Sequence, residues 1–123
     1  MLNKADVKVM GFHGIVEHNG RISLYDLKQL EDLLVRAAKS AGARVLNSHF
    51  HDFGEKMGKT GVVLLAESHI SVHTWPETNY AAIDVFVCNS REACLAAIDV
   101  IKHEDKLATN QTQIINRLNQ RKN

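Results

Sequence analysis

The chain has 123 residues, which is enough for one domain built around one hydrophobic core. Its formal net charge is +1, so the composition gives no reason to expect a nucleic acid or an anionic membrane as a partner. No apolar run approaches the roughly 20 residues that span a bilayer, and the first residues contain no apolar signal core. Two cysteines do not make a disulfide framework. We therefore expect a cytoplasmic protein with reduced thiols.

The first half of the chain predicts a strand, a helix and a second strand. Val7, Val9 and Ile15 share one parity, which predicts a strand that ends in a turn at residues 19–20. Apolar residues at helical spacing follow up to the glycine at position 42. We predict that Ser23 caps this helix and that Asp26 is the second member of a capping-box-like pair. Residues 43–50 read as the next strand, and a glycine-containing loop covers residues 54–59.

The second half predicts three more strands, a helix and a last strand. Residues 61–66 form a short apolar run that is typical of a buried strand, and residues 70–74 alternate until Pro76. Residues 80–88 also alternate, which predicts a strand with two distinct faces. Ser90 caps the second helix, and residues 111–118 form the last strand. One predicted face of the strand over 80–88 is apolar, Ala81, Ile83, Val85 and Val87; the other contains Tyr80, Ala82, Asp84, Phe86 and Cys88.

The order of these elements is β-α-β-β-β-β-α-β. Short connections between the middle strands favour antiparallel pairing. The predicted fold class is therefore α+β, a two-layer sandwich with a mainly antiparallel sheet and two helices packed on one face. We expect residues 1–123 to be a single domain.

Seven histidines in a short chain raise the possibility of a metal site. His69 and His73 are four residues apart, which would suit one zinc ion on a helix. On a strand the same spacing covers about 13 Å, which one ion cannot bridge. His49 and His51, two apart on one strand face, could reach one ion, but no matching ligand set is evident. We predict no metal.

A long stretch of the sequence resembles a known enzyme family. Residues 65–77 read LAESHISVHTWPE, and residues 80–88 read YAAIDVFVC. With the upstream segments FHDF at 50–53 and TGVV at 60–63, these stretches closely resemble the core of the prokaryotic S-adenosylmethionine decarboxylases. The length and element order resemble the short form of that family, and the motif is too long and continuous for a chance match.

The resemblance implies that the protein makes its own cofactor by cutting its backbone between Glu67 and Ser68. The hydroxyl of Ser68 attacks the carbonyl carbon of Glu67, and β-elimination then breaks the resulting ester. Residue 68 becomes a pyruvoyl group at the start of a chain of residues 68–123, separate from a chain of residues 1–67. This pyruvoyl group binds the substrate amine and accepts electrons as carbon dioxide leaves, as pyridoxal phosphate does in other enzymes.

Five further residues match family positions with known roles. His73 matches the histidine that serves processing, and Thr60 lies where a serine usually assists it. Cys88 matches the proton donor for the decarboxylated substrate, a role that thiol acid–base chemistry allows. Glu77 matches the glutamate that binds the ribose hydroxyls, and Phe53 matches the aromatic residue that stacks on adenine. The resemblance also implies a homodimer of processed protomers.

Some positions depart from the family pattern. The family usually has a Gly-Arg-His-Leu-like segment where this chain reads Gly11-Phe12-His13-Gly14. Asn79 and Asn89 stand where glycines are common. None of these changes affects the cleavage site, but the first one lies near the expected substrate.

Three functions therefore remain open at this point. The first is an S-adenosylmethionine decarboxylase whose product supplies spermidine synthesis. The second is a pyruvoyl-dependent decarboxylase of arginine or ornithine. The third is an unprocessed homologue that regulates an active partner. The second cysteine, Cys94, lies on the apolar stripe of the predicted second helix, so we expect it to have a packing role.

Overall fold

Six antiparallel strands form one sheet, and both helices pack on the same face of it. The computed structural model describes residues 6–120. The predicted α+β two-layer sandwich is confirmed. Strand order across the sheet is β2-β3-β4-β5-β1-β6, and every neighbouring pair is antiparallel. The elements are β1 (Val7–Asn19), α1 (Leu27–Ser40), β2 (Val45–Asp52), β3 (Lys59–Leu65), β4 (Ser68–Trp75), β5 (Tyr80–Val87), α2 (Arg91–His103) and β6 (Thr109–Gln120), with 3-10 turns at Arg21–Leu24 and Pro76–Thr78.

The core lies between the sheet and the helices, as strand alternation predicts. All four residues of the predicted apolar face of β5 are buried, and the intervening residues are half-buried. Cys94 is fully buried on α2, which confirms its packing role. Burial raises the pKa of the Cys94 thiol, so this thiol is poorly reactive. The largest fully buried aliphatic side chains of this core are Val16, Ile22, Leu30, Leu33, Leu34, Val63, Ile70, Val72, Ile83, Val85 and Ile101.

The predicted start of the first helix is wrong by one turn. Residues Arg21–Leu24 form a separate 3-10 turn, in which the Ser23 hydroxyl donates a hydrogen bond to the Gly20 carbonyl at 2.9 Å. The helix is capped instead by Asp26, whose side chain accepts from the Gln29 N–H at 2.8 Å. The Gln29 side chain accepts from the Asp26 N–H in return. A capping box is therefore present, but Asp26 is its first member rather than its second.

The predicted faces of the first strand are also wrong. A register shift between Val9 and Gly11 interrupts the pairing of β1 with β6. From Phe12 onward the buried residues of β1 are Gly14, Val16 and His18, so Ile15 lies on the opposite face. The second strand starts at Val45 because Ala43 is still part of the helix end, where its N–H donates to the Ala38 carbonyl. The last strand is confirmed, and it is longer than predicted.

Gly14, which stands where the resemblance implies a leucine, lies at a point where α2 packs directly on β1. A Cβ atom at position 14 would lie 2.6 Å from Ile98 Cδ1 and 2.9 Å from Cys94 Sγ. Phe12, in place of the usual arginine, packs against the core from the same strand. Both departures therefore belong to the helix-facing side of the sheet.

The opposite face of the sheet is not covered by either helix, and we call it the open face. Strand pairing places on it the alternate residues of each strand, which include Asp84 and Phe86 of β5. Five of the seven histidines in the chain lie there, His13, His49, His51, His69 and His73.

Restoring the family leucine at position 14 should destabilise this chain. We expect Gly14→Leu to lower the free energy of unfolding by about 1–3 kcal/mol, because the added side chain overlaps Ile98. Combining it with Ile98→Ala should cost less than the sum of the two single changes. Denaturant unfolding of the four proteins measures this coupling. A Gly14→Leu protein as stable as the wild type would contradict the close packing of α2 on β1.

Candidate active site

The predicted cleavage site lies in a tight turn at the edge of the sheet. Leu65 ends β3 and pairs with Ser68, which begins β4, so Ala66 and Glu67 alone connect the two strands. Glu67 has a φ of 69°. Left-handed backbone at a residue other than glycine costs on the order of 1–3 kcal/mol. The peptide bond between Glu67 and Ser68 therefore follows a strained residue.

Cys88 contacts the carbonyl of that same peptide bond. It comes directly after β5, and its Sγ donates a hydrogen bond to the Glu67 carbonyl oxygen at 3.0 Å. Cys88 is exposed, and Ser68 is half-buried. Both line a hollow of about 230 Å³, together with residues 42–44 and 89. We call Glu67, Ser68 and Cys88 the turn cluster.

A second group of predicted residues meets on the open face. Thr60 of β3 and His73 of β4 are direct partners in the strand pairing, and Thr60 Oγ1 contacts His73 Nδ1. Phe53 follows β2, and its ring centroid lies 6.3 Å from that of His73 and 4.7 Å from that of His51. We call Phe53, Thr60 and His73 the histidine cluster.

The two clusters are separate within one chain. Ser68 and His73 are the first and sixth residues of β4, so about 16 Å of strand lies between their backbones. Their separation of five residues is odd, so alternation places the two side chains on opposite faces. The structure therefore brings Ser68 together with Cys88, and Thr60 together with His73, but it does not bring Ser68 to His73.

Glu77 lies near the histidine-cluster end of β4. It is exposed in the 3-10 turn that follows the strand, directly after Pro76. Asn79 ends this turn with a φ of 57°. Asparagine tolerates this left-handed conformation better than most residues, which explains why it can replace the usual glycine here.

Sequence reasoning missed a polar network in the middle of the open face. His13 Nε2 lies 3.0 Å from Asp84 Oδ1, and Arg117 donates to His13 Nδ1 at 3.4 Å. These contacts fit the His13 tautomer in which Nε2 carries the proton and donates a hydrogen bond to Asp84. His13 and Arg117 also line a hollow of about 230 Å³ with His69 and Phe86. The parity of β5 placed Asp84 on this face, but finding its partners requires the pairing of β1 with β5 and β6.

No group of three or more metal-binding side chains occurs among residues 6–120. Within the same residues, neither helix is long and apolar enough to cross a membrane.

Comparisons with known proteins agree with the resemblance found in the sequence. The family model for S-adenosylmethionine decarboxylase matches residues 13–118. A protein of Moorella thermoacetica named S-adenosylmethionine decarboxylase proenzyme is 39% identical over 109 residues, which cover 84% of this chain and 86% of that protein. A protein of the same name from Persephonella marina is 45% identical over 97 residues, covering 76% of this chain and 71% of its own length.

A solved structure gives the same answer for the fold. The crystal structure of the adenosylmethionine decarboxylase from Aquifex aeolicus superposes with a TM-score of 0.71 at 33% sequence identity. The superposition covers 86% of this chain and 90% of the other. Since the match extends from β1 through β6, it includes both the turn cluster and the histidine cluster.

Proposed function

Because the chain belongs to the S-adenosylmethionine decarboxylase family, we propose that it cuts itself between Glu67 and Ser68 and then decarboxylates S-adenosylmethionine. The enzyme is a carboxy-lyase, as the names of its relatives indicate. Those names favour S-adenosylmethionine over arginine or ornithine as the substrate, and they favour an enzyme over a regulatory homologue. The observation that supports self-cleavage best is the strained turn whose carbonyl is held by Cys88.

The first step is attack of Ser68 Oγ on the carbonyl carbon of Glu67. The carbon–nitrogen bond breaks, and an ester links the two residues while the amino group of residue 68 becomes free. Negative charge develops on the Glu67 oxygen during this step, and Cys88 Sγ already donates a hydrogen bond to that atom. The left-handed φ of Glu67 raises the energy of the uncut turn, and its relief also favours the attack.

The second step is elimination. A base removes the Cα proton of residue 68, and the Glu67 carboxylate leaves, which completes the new end of the first chain. The dehydroalanine that remains becomes an imine, and water hydrolyses it to a ketone with release of ammonia. Residue 68 is then a pyruvoyl group at the start of β4, beside the hollow that Cys88 also lines.

The pyruvoyl group supplies an electrophilic carbonyl that takes up electrons as carbon dioxide leaves the substrate. The residues around position 68 fit such a group. The hollow is open enough to admit an amino acid, and Cys88 is exposed beside it. Once the Glu67 carbonyl has left, the Cys88 thiol is free to donate a proton to the substrate carbon.

The resemblance gives His73 a role in processing, yet in one chain it lies far from Ser68. A second protomer resolves this conflict. If two open faces pack together around a two-fold axis that runs across the strands, the histidine-cluster end of one sheet lies over the turn-cluster end of the other. Stacked sheets are about 10 Å apart. The partner's His73 can therefore reach Cys88, which continues the open-face alternation of β5, and the Glu67 carbonyl that Cys88 contacts, whereas the Ser68 side chain starts on the helix-facing side of the same turn.

The open face carries exposed apolar side chains among its histidines and charged groups. Leu64 and Ile115 are 47% and 42% exposed, and Phe86 lines an open hollow between two histidines. An antiparallel sheet covered on one side only leaves such residues in water. We therefore propose a homodimer with two composite sites, each containing one turn cluster and the partner's histidine cluster.

Mixing two inactive variants tests the composite site. A Ser68→Ala chain has no nucleophile, and a His73→Ala chain has no processing histidine, so each alone should stay uncut. Co-expressed with different tags, they should form mixed dimers in which only the His73→Ala chain is cut, into residues 1–67 and 68–123. Denaturing electrophoresis and mass spectrometry measure the two products.

The control pairs the His73→Ala chain with a Ser68→Ala, His73→Ala double variant, which supplies no histidine and should give no cutting. Uncut mixed dimers would rule out the composite site. A fully active but uncut wild-type protein would rule out self-cleavage itself.

Cys88 should affect decarboxylation much more than cleavage. Cys88→Ala removes one donor to the Glu67 oxygen, so cutting slows but still occurs, whereas loss of a positioned acid should lower turnover by about 10²–10⁴-fold. Cys88→Ser keeps a hydroxyl donor, so it should restore cutting without restoring turnover, because a hydroxyl is a much weaker acid. Pulse–chase cleavage rates and release of carbon dioxide measure the two effects. Full turnover in Cys88→Ala would leave the cysteine with a role in cleavage alone.

Variants of Phe53 and Glu77 test the substrate assignment. If Phe53 stacks on adenine, Phe53→Ala should raise KM for S-adenosylmethionine about tenfold. Glu77→Gln should raise KM by a similar factor, about tenfold or more, because a charged acceptor for the ribose hydroxyls is lost. Met57→Ala, a change at an exposed residue of the same loop as Phe53, is the control and should leave KM unchanged. Unchanged KM in both site variants, with better turnover of ornithine or arginine, would reverse the assignment.

A further inference from the structure

A row of side chains crosses the open face and ends at His73, and the mechanism above uses none of its other three members on β1, β5 and β4. Glu17 of β1, Tyr80 of β5 and Trp75 of β4 lie side by side, and the row ends at His73 and its partner Thr60. The row spans four adjacent strands of the sheet. Its members are neighbours in space because of strand pairing, and only Trp75 is close to His73 in the sequence.

The far end of the row is anchored by a hydrogen bond. The Tyr80 hydroxyl donates a hydrogen bond to Glu17 Oε1 at 2.7 Å. This hydrogen bond is the main reason that the pKa of Tyr80 rises to about 12, so the phenol remains a protonated donor near neutral pH. The ring of Tyr80 is therefore held in place from one side.

Trp75 connects that anchor to the histidine. Trp75 and Tyr80 are direct partners in the pairing of β4 with β5, and their rings stack at 5.0 Å with an angle of 17°. On its other side Trp75 meets His73 nearly edge-on, with ring centroids 4.2 Å apart and an angle of 65°. Both distances lie within or near the range of favourable aromatic pairs.

His73 is thus held on two sides. Thr60 Oγ1 contacts its Nδ1, and Trp75 packs against the ring. Nε2 is therefore the ring nitrogen that is available for the reaction. The direction in which it points depends on the plane of the His73 ring, which the contacts with Thr60 and Trp75 set. Ordinary core packing does not account for Trp75, because 36% of its surface remains exposed.

We propose that Trp75 and Tyr80 are positioning residues that fix the ring plane of His73, with Glu17 as their anchor. The proposal rests on the proposed function for the reaction that His73 serves. The ring orientation itself does not depend on it.

Ring orientation can be measured in a full-length chain that cannot cut itself. In a Ser68→Ala background with ¹⁵N-labelled histidine, nuclear magnetic resonance reports the tautomer of His73 and its proximity to the Thr60 methyl group. We expect Trp75→Ala to weaken that proximity signal and to change the tautomer signature, whereas Trp75→Phe keeps both. Unchanged ring signals in Trp75→Ala, with an unchanged melting temperature, would overturn the proposal.

Cleavage kinetics give the second measurement. In cell-free pulse–chase experiments on chains with an intact Ser68, Trp75→Ala and Tyr80→Ala should each slow cutting about three- to tenfold, the size expected for losing an aromatic contact. Tyr80→Phe keeps the stack but loses the anchor, so it should have a smaller effect. Glu17→Gln keeps an acceptor for the Tyr80 hydroxyl and should cut at nearly the wild-type rate.

A change elsewhere on the open face separates positioning from a general loss of apolar surface. Leu64→Ala removes exposed apolar area from the same face without touching the row, so at a protein concentration at which this variant is fully dimeric it should leave the cutting rate unchanged. An equal slowing by Leu64→Ala and Trp75→Ala would overturn the positioning role. If the mixed-dimer experiment fails while the His73 ring still depends on Trp75, the composite site is wrong and the positioning row stands.

Discussion

The alternation of β4 is the constraint on which the rest of the site depends. Ser68 and His73 belong to one uninterrupted strand that is paired on both sides, with β3 and with β5. The odd separation of the two residues fixes their side chains on opposite faces, and the pairing prevents the strand from twisting them together. Any reaction that needs both residues must therefore draw them from different copies, or else disrupt the centre of the sheet.

The sequence predicted elements well where a strong local pattern agrees with tertiary packing. The apolar face of β5 and the Ser90 cap of α2, whose side chain accepts from the Ala93 N–H, were both correct. The start of α1 was wrong because Ser23 and Asp26 both resemble caps, and only the buried 3-10 turn decides between them. The faces of β1 were wrong because a register shift near Gly11 reverses the parity, and residue types alone do not reveal such a shift.

The long motif predicted which residues belong to the site but not how they are arranged. The predicted strand over residues 70–74 did not include Ser68, so the sequence alone did not show that Ser68 and His73 face opposite ways. The contact between Cys88 and the Glu67 carbonyl, and the link from His13 to Asp84, each join residues more than 20 positions apart. Such contacts follow from strand order and register, and these depend on packing of the whole sheet rather than on local sequence.

The position of the proposed cut is one at which the chain could lose a peptide bond and stay folded. Residues 1–67 contain β1, α1, β2 and β3, and residues 68–123 contain β4, β5, α2 and β6. The two pieces interlock, because β1 lies between β5 and β6 while β3 pairs with β4. Three complete strand interfaces therefore join the products, and the turn at Glu67 contributes only a strained connection between them. A cut at this turn would remove backbone strain and affect strand pairing only at the terminal pair, Leu65 and Ser68, where the Ser68 N–H is lost, whereas a cut further inside the paired strands would break hydrogen bonds in the middle of the sheet.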